Sequence, residues 1–187
     1  SPLAEVLPLK LEPPANRQIL RGALALIVHS CEFPEGNYWG QKTAESAIEA
    51  LSRLDAVGII EFVNGQGTEW VFPMQEVGDK AAALSATKQL KFGDMPDFPP
   101  AMQMAQAALA TADAGHKHVI IISDGDPQPP TRSLLQSYVD EKITCSTVLV
   151  GPHVPLARST METIAGVTGG EFYSVQNLDE LPQIFIK

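Results

Sequence analysis

The sequence predicts a three-layer α/β domain, in which helices cover both faces of a doubly wound and mostly parallel sheet. Two short apolar runs, residues 23–29 and 119–122, carry this prediction. Strands that are buried on both faces are apolar throughout, whereas a strand with one solvent-exposed face alternates apolar and polar residues. Segments with helical spacing separate the strands, and this alternation is typical of parallel strands joined by right-handed crossovers.

The loop that follows the second run is the first indication of a site. The run passes directly into Ser123, Asp124 and Asp126 around a turn at Gly125. Ligands of open α/β sheets bind in the crevice beyond the carboxyl ends of the strands. The sequence therefore predicts both where a site should be and which oxygen atoms it can offer.

Residues 1–21 are predicted to be an extended lead-in to a domain that spans residues 22–187. This segment contains four prolines and no helical period. Proline fixes φ and removes a backbone donor, so the segment suits a linker laid along the domain. Because the chain starts without methionine, we expect it to be a piece of a longer protein.

In the first half of the domain, the spacing of apolar residues and turn residues places each element. Alternation after the turn sequence 64–67 predicts an antiparallel hairpin strand at the sheet edge. Asp79 is a predicted N-cap, since its carboxylate can accept a hydrogen bond from a free amide of the first turn. After the first strand, the elements are predicted over residues 42–54 (helix), 57–63 and 68–72 (strands), and 79–90 and 101–113 (helices).

The second half repeats the alternation of helices and strands. Gly169 and Gly170 are predicted to end a helix, because glycine readily adopts the left-handed conformation found there. Asn177 and Glu180 have the spacing of a capping box at the start of a final helix. The other elements are predicted over residues 134–140 and 159–167 (helices) and 143–150 and 171–175 (strands).

Composition excludes several classes of function. The formal net charge of -9 argues against a nucleic-acid partner and against an anionic membrane surface, since both need clustered basic residues. No apolar run approaches the ~20 residues of a membrane-spanning helix, so direct membrane insertion is not expected. Cys31 and Cys145 are too few for a disulfide scaffold, and both are expected to be reduced.

The order of these elements, together with several short motifs, resembles a von Willebrand factor A domain. The resemblance covers almost everything from residue 23 onwards, and it implies a six-stranded sheet with one antiparallel edge strand. We expect the sheet order 3-2-1-4-5-6, with the two apolar runs adjacent at the centre. The motifs that carry the resemblance are residues 25–28, 55–60, 121–125, 147–151, 164–173 and 178–185.

Three further stretches, residues 29–32, 93–98 and 181–187, resemble a bacterial branch of this family. In that branch the domain sits inside large membrane-attached proteins that also carry a glutamine-amidotransferase-like domain. The resemblance thus implies a domain that is tethered to a membrane through other parts of its parent chain. Its partner is then expected to be another protein or another domain of that parent.

The family resemblance also implies a metal-ion-dependent adhesion site for Mg²⁺, but the sequence departs from its ligand pattern. The family draws an Asp-x-Ser-x-Ser run from the first loop, a threonine before the third helix and an aspartate after the central strand. Only Asp124 matches, so it is the one candidate ligand for Mg²⁺. We therefore expect no bound cofactor and no better than millimolar Mg²⁺ affinity. The residues at the other positions are His29 for the first aspartate, Cys31 and Phe33 for the serines, and Pro96 for the threonine.

Two functional interpretations of His29, Cys31 and Asp124 stand beside a purely structural interpretation. His29, Cys31 and Asp124 offer a ligand set that suits Zn²⁺ better than Mg²⁺. The same three residues could instead form a metal- or thiol-dependent hydrolase, although no oxyanion-hole motif accompanies them. In the structural interpretation, Asp124 caps the next helix or holds its own loop through an Asx-turn.

The function predicted from the sequence is that of a non-enzymatic protein-interaction domain with a degenerate metal site. Its acidic loops favour a partner that carries a basic patch. The predicted binding-loop residues are His29, Ser30, Cys31, Glu32, Asp94, Asp97, Asp124 and Asp126.

Overall fold

The structure, a computed structural model, describes residues 21–29, 34–91, 93–152 and 154–175. These residues form six strands and five helices. The strands are β1 (Gly22–Val28), β2 (Ala56–Val63), β3 (Gly67–Glu76), β4 (His116–Ser123), β5 (Ile143–Val150) and β6 (Phe172–Val175). The helices are α1 (Pro34–Ala50), α2 (Ala81–Thr87), α3 (Pro99–Thr111), α4 (Arg132–Asp140) and α5 (Ala157–Thr168).

The strands form one sheet in the order β3-β2-β1-β4-β5-β6, which confirms the predicted topology. The two apolar runs lie side by side at its centre, with Ala25 opposite Val119 and Val28 opposite Ile122. All neighbouring strands are parallel except β2 and β3, so β3 is the antiparallel edge. The predicted fold class is therefore confirmed.

Side chains of each central strand pack alternately into two separate hydrophobic cores, one on each face of the sheet. In β1, Ala25 and Ile27 pack on the side of α3, α4 and α5, whereas Leu24 and Leu26 pack on the side of α1 and α2. Because both faces are covered, an alternating pattern would bury polar groups, so the run must be apolar throughout. Each fully buried leucine or isoleucine stabilises the fold by roughly 1.5–3 kcal/mol.

Several observed helix boundaries differ from the predicted ones. The spacing of apolar residues indicates only which helical residues are buried, and not where the helix begins and ends. The first helix begins at Pro34 rather than residue 42, and α2 spans only Ala81–Thr87. The predicted N-cap at Asp79 is wrong by one residue: Lys80, with φ of 70°, is the N-cap. Asp79 still accepts a hydrogen bond from the Ala81 amide at 3.1 Å. The lead-in up to residue 20 and the predicted final helix lie outside the described residues.

The loops at the carboxyl edge of the sheet are joined to one another and to the strands. The Asp94 amide donates to the Asn64 side chain at 3.2 Å, which fixes this loop to the end of β2. Further along, Asp97 forms a bridge with Gln128, and the Gln128 amide donates to the Pro96 carbonyl at 2.9 Å. These bonds bring the loop before α3 against the loop after β4.

Two glycines in and after α5 provide a matched test of the packing around β5. A methyl group on Gly170 would collide with the backbone carbonyl of Cys145, whereas one on Gly166 would meet open space. We expect Gly170→Ala to cost ~2–3 kcal/mol through overpacking. Gly166→Ala should stabilise the helix by up to ~1 kcal/mol, since alanine has the higher helix propensity. Urea denaturation of both variants checks this, and equal midpoints would contradict the close approach.

Candidate functional site

A buried histidine–aspartate contact lies at the centre of the carboxyl edge. Parallel pairing continues beyond β1, since the His29 amide donates to the Ile122 carbonyl at 2.9 Å. The His29 side chain therefore meets the polar residues at the carboxyl end of β4. Its Nδ1 atom lies 2.9 Å from Ser123 Oγ and 3.3 Å from Asp124 Oδ1. Both the His29 and Asp124 side chains are only 1% exposed.

Short hydrogen-bonded turns hold the loop after β4 in place. The Gly125 amide donates to Ser123 Oγ at 3.0 Å, and the Asp126 amide points at Asp124 Oδ1 at 3.4 Å. The second contact is the Asx-turn expected for Asp124 in the structural interpretation. Helix capping by Asp124 is wrong, because α4 begins after Thr131, whose hydroxyl accepts from the Leu134 amide.

Gly125 is required for the sharp turn of this loop. Its φ of 84° is a conformation that favours glycine. A methyl group here would also come within 2.9 Å of the Ala157 backbone at the start of α5. The turn therefore places Asp124 inward and carries Asp126 back over the same histidine.

Two further carboxylates face the imidazole ring of His29. Asp94 Oδ1 lies 3.8 Å from Nε2, and Asp126 Oδ1 lies 3.8 Å from Nδ1. The Asp94 side chain is 56% exposed and that of Asp126 is 21% exposed. The ring is thus buried, while the carboxylates in front of it reach the surface.

The pKa values of the two aspartates in the turn move in opposite directions. Burial alone would raise the pKa of Asp124, but the hydrogen bond and charge of His29 outweigh it and lower that pKa to about 2. For Asp126, burial and the neighbouring Asp124 carboxylate raise the pKa to about 6, with His29 opposing the shift. Asp124 therefore stays ionised, and the nearby negative charge makes ionisation of Asp126 less favourable.

The structure brings together four of the predicted binding-loop residues: His29, Asp94, Asp124 and Asp126. Asp97 is not among them; it is half-buried, and its backbone forms a β-bridge with that of Gln128. Ser30, Cys31 and Glu32 lie outside the described residues. The Zn²⁺ set and the hydrolase set that include Cys31 therefore stay predictions.

Two residues that are not among the predicted binding-loop residues support the site. The sequence indicates Ser123 only as one of the oxygen-bearing residues of the loop, and its hydroxyl contacts both His29 and the loop backbone. Glu61 is buried in β2 and accepts a hydrogen bond from the Lys91 amide at 2.7 Å, which anchors the segment leading to Asp94. Burial raises the pKa of Glu61. Its signal in the sequence was a single carboxylate within an otherwise apolar strand.

We expect Asp126→Asn to stabilise the protein at pH 7 by about 1 kcal/mol, a value discounted for partial exposure. The raised pKa of about 6 means that the native state holds a proton which the unfolded chain releases above its ordinary value of 3.8. Stability from this group is therefore full below pH 4 and is lost as the pH rises through 6. Urea denaturation at pH 7 and pH 4 should show the gain at the higher pH only.

Asp124→Asn is the matched control, with the opposite expected sign. Its lowered pKa of about 2 contributes stability above the ordinary value of 3.8, which is lost as the pH falls through 2. The variant should lose roughly 1–2 kcal/mol at pH 7, because it weakens a buried charge-assisted contact. Shifts of the same sign for the two variants would contradict the opposed pKa values.

Comparison with solved structures supports the fold. A von Willebrand factor type A protein from Catenulispora acidiphila superposes with a TM-score of 0.72 at 18% identity, over 89% of this chain and 41% of that one. The chain thus spans about two fifths of that protein. An aerotolerance-related membrane protein from Bacteroides fragilis gives a TM-score of 0.70 at 12% identity, over 89% and 96% of the two chains.

A third similar structure is the vWF domain of the type V pili tip protein Mfa5 from Porphyromonas gingivalis. Its TM-score is 0.66 at 11% identity, over 89% of this chain and 93% of that one. No curated protein matches the sequence. The family model described as von Willebrand factor type A domain matches residues 41–187, well over half of the chain. The chain therefore belongs to the von Willebrand factor type A domain family.

Proposed function

We propose that this domain is a non-enzymatic protein-interaction module that binds through the acidic loops at the carboxyl edge of its sheet. Domains of this family are generally interaction modules rather than enzymes. The observation that carries the proposal is the placement of Asp94 and Asp126, which present partly exposed carboxylates around a buried His29–Asp124 contact. A rigid core with charged loops at one edge suits recognition of a partner.

The charge of this face favours a partner with a basic patch. The formal net charge of the chain is -9, and the loops contribute several of its carboxylates. Complementary charge steers association and raises its rate, mostly for groups at the rim of an interface. Asp94, the most exposed of the three carboxylates around His29, is placed to act in this way.

We also propose that the site is degenerate with respect to Mg²⁺. Mg²⁺ requires near-octahedral oxygen ligands at 2.0–2.1 Å. His29 replaces an oxygen ligand of the family pattern, and its ring lies 3.3 Å from the Asp124 carboxylate, where the cation would need room. Pro96 has no side-chain oxygen to offer. The residues present therefore do not fit Mg²⁺, and no step of the proposed function depends on that ion.

The domain is further proposed to belong to a larger, membrane-attached bacterial protein. Within the described ranges, no helix is both long enough and apolar enough to cross a membrane. Attachment would then come from other segments of the parent chain, and the partner could be a domain of that same chain. The similarity to a membrane protein from Bacteroides fragilis, together with the sequence resemblance to a bacterial branch, supports this proposal.

We expect Asp94→Asn to slow association with the partner by about two- to threefold and to weaken its salt dependence. The probe is the remainder of the parent protein, expressed separately and immobilised, with binding followed by biolayer interferometry at two ionic strengths. Folding stability should change little, since Asp94 is more than half exposed.

Asp113→Asn is the matched control, because it removes the same charge from an exposed residue at the opposite end of the sheet, just after α3. It should leave the association rate within experimental error. Equal slowing by both variants would assign the effect to net charge and not to this face. Absence of binding to every parent segment would leave another protein as the only partner consistent with the proposal.

A thiol-dependent hydrolase centred on Cys31, His29 and Asp124 is the second candidate. One observation favours it: Asp124 orients the His29 ring as an aspartate orients a general base. We expect, however, that iodoacetamide alkylates Cys31 no faster than an ordinary thiol. Cys145 is fully buried, and burial raises the pKa of its thiol, so it should react only after unfolding. Fast alkylation at pH 6 that His29→Ala abolishes would show an activated Cys31 thiol and favour the hydrolase over the non-enzymatic proposal.

A further inference from the structure

A groove of about 320 Å³ lies between α4 and α5 on one face of the domain. Its floor is formed by Leu135 of α4 and Ile164 of α5, and both side chains are buried. Leu156, at the start of α5, lies at the rim and is 72% exposed, more than any other large apolar side chain in the described residues. The groove therefore combines an apolar floor with an apolar rim at this end.

Exposed apolar side chains continue beyond the groove along both helices. In α4, Val139 follows Leu135 by four residues and therefore lies on the same side of the helix. In α5, Val167 follows Thr163 by the same spacing. Of the five large apolar side chains that are well exposed in the described residues, three are Leu156, Val139 and Val167. Single exposed apolar residues are ordinary on protein surfaces, whereas an apolar patch marks an interaction site.

Helix α5, all of whose residues are described, has a side without charged residues, and this side borders the groove. The two charged residues of α5, Arg158 and Glu162, pair with each other at 3.3 Å on a different side of the helix. Arg158 also lies over the ring of Phe172 in β6, so the charges face away from α4. The uncharged stripe follows the helical period. It consists of Leu156, Thr160, Thr163 and Val167.

The hydroxyl groups beside the groove have partners within α5 itself. The Thr163 hydroxyl donates to the Ser159 carbonyl at 2.7 Å, and the Ser159 hydroxyl donates to the Leu156 carbonyl at 2.9 Å. Because these two protons are already bonded, an apolar partner that covers the groove leaves neither donor unsatisfied. The surface therefore suits an uncharged and apolar occupant.

The shape of this surface suits a helix. Helices α4 and α5 contact each other and lead into the parallel strands β5 and β6, so they run side by side in the same direction. From Leu156 to Val167 the surface is about 16 Å long, which is roughly three turns of a partner helix. Two adjacent helices offer a groove into which the side chains of a third can pack. A small molecule confined to the groove would leave Val139 and Val167 uncovered, since both lie beyond it.

One end of the groove adjoins the acidic loop after β4. A methyl group on Gly125 would come within 2.9 Å of the Ala157 backbone, so this turn packs directly beside Leu156. Pro129 and Pro130 follow the turn and line the groove, and their fixed φ angles stiffen its rim. A helix in the groove therefore has one end beside the acidic edge, where a basic residue is favoured.

We propose that the groove between α4 and α5 binds an amphipathic α-helix of a partner protein. The helix places large apolar residues, spaced by three or four positions, against Leu156, Val139 and Val167. It also carries a basic residue at the end beside the acidic edge, and this feature alone rests on the proposed function. The groove is thus a second contact surface beyond the acidic loops. Its apolar contacts slow dissociation, whereas the charges at the edge speed association.

The experiment is selection of a phage-displayed library of helical peptides, about four turns long, against the immobilised whole chain. We expect enriched peptides to carry large apolar residues at positions i, i+3 or i+4, and i+7, and a basic residue near one end. Leu156→Ser and Val139→Ser should each weaken binding of the synthesised peptides by roughly tenfold, because each removes an apolar contact from one wall of the groove. Fluorescence anisotropy measures these affinities.

Leu54→Ser is the matched control. Leu54 is also an exposed apolar residue, but it lies between α1 and β2, outside this surface. The control should leave peptide affinity within about twofold of the original value. Circular dichroism of each variant separates loss of binding from loss of folding.

Three results would overturn the groove. These are a library in which no peptide is enriched, enriched peptides that bind Leu156→Ser and Val139→Ser as tightly as the original chain, and dimerisation in sedimentation equilibrium that Leu156→Ser abolishes. The last result would make a second copy of the chain the occupant. Peptide binding that Asp94→Asn weakens but Leu156→Ser does not would leave the acidic edge and remove the groove. The reverse pattern would support the groove and contradict the proposed role of the acidic edge.

Discussion

The parallel pairing of β1 with β4 is the constraint on which the rest of the structure depends. Both strands are covered on both faces, so neither can carry an uncompensated polar side chain along its buried length. The first polar residues can come only where the strands end, and the register places His29 beside Ser123 and Asp124. Because the buried lengths of β1 and β4 exclude polar side chains, His29, Ser123 and Asp124 come together at the carboxyl edge of the sheet.

Bringing these carboxylates together at one edge is electrostatically unfavourable, and the penalty differs between Asp124 and Asp126. Removing the Asp124 carboxylate from water is unfavourable, and its contact with His29 offsets the penalty. Burial, together with the ionised Asp124 beside it, raises the pKa of Asp126 to about 6. A group that is strained electrostatically in the folded state is a common feature of binding sites, since a cationic ligand or partner would relieve it.

The loops that carry these side chains are held by bonds to strands and to one another. Asn64 accepts from the Asp94 amide, Glu61 accepts from the Lys91 amide, and Gln128 joins the loop before α3 to the loop after β4. Such support fixes the position of a functional side chain before any ligand arrives, which lowers the entropy lost on binding. The acidic edge is thus a preorganised surface and not a set of independent charges.

The sequence by itself determined the strand order, the central pair of strands and the edge of the sheet at which polar residues meet. The central pair and the polar edge follow from burial, which the apolar runs record directly, whereas the full strand order also needed the family resemblance. The sequence could not decide which carboxylates approach His29. Asp94 and Asp97 look alike in the chain, yet the Asp94 carboxylate faces the ring, whereas the backbone of Asp97 pairs with that of Gln128. Their orientation depends on hydrogen bonds between residues about 30 positions apart and on the left-handed turn at Gly125, and only the tertiary structure sets these.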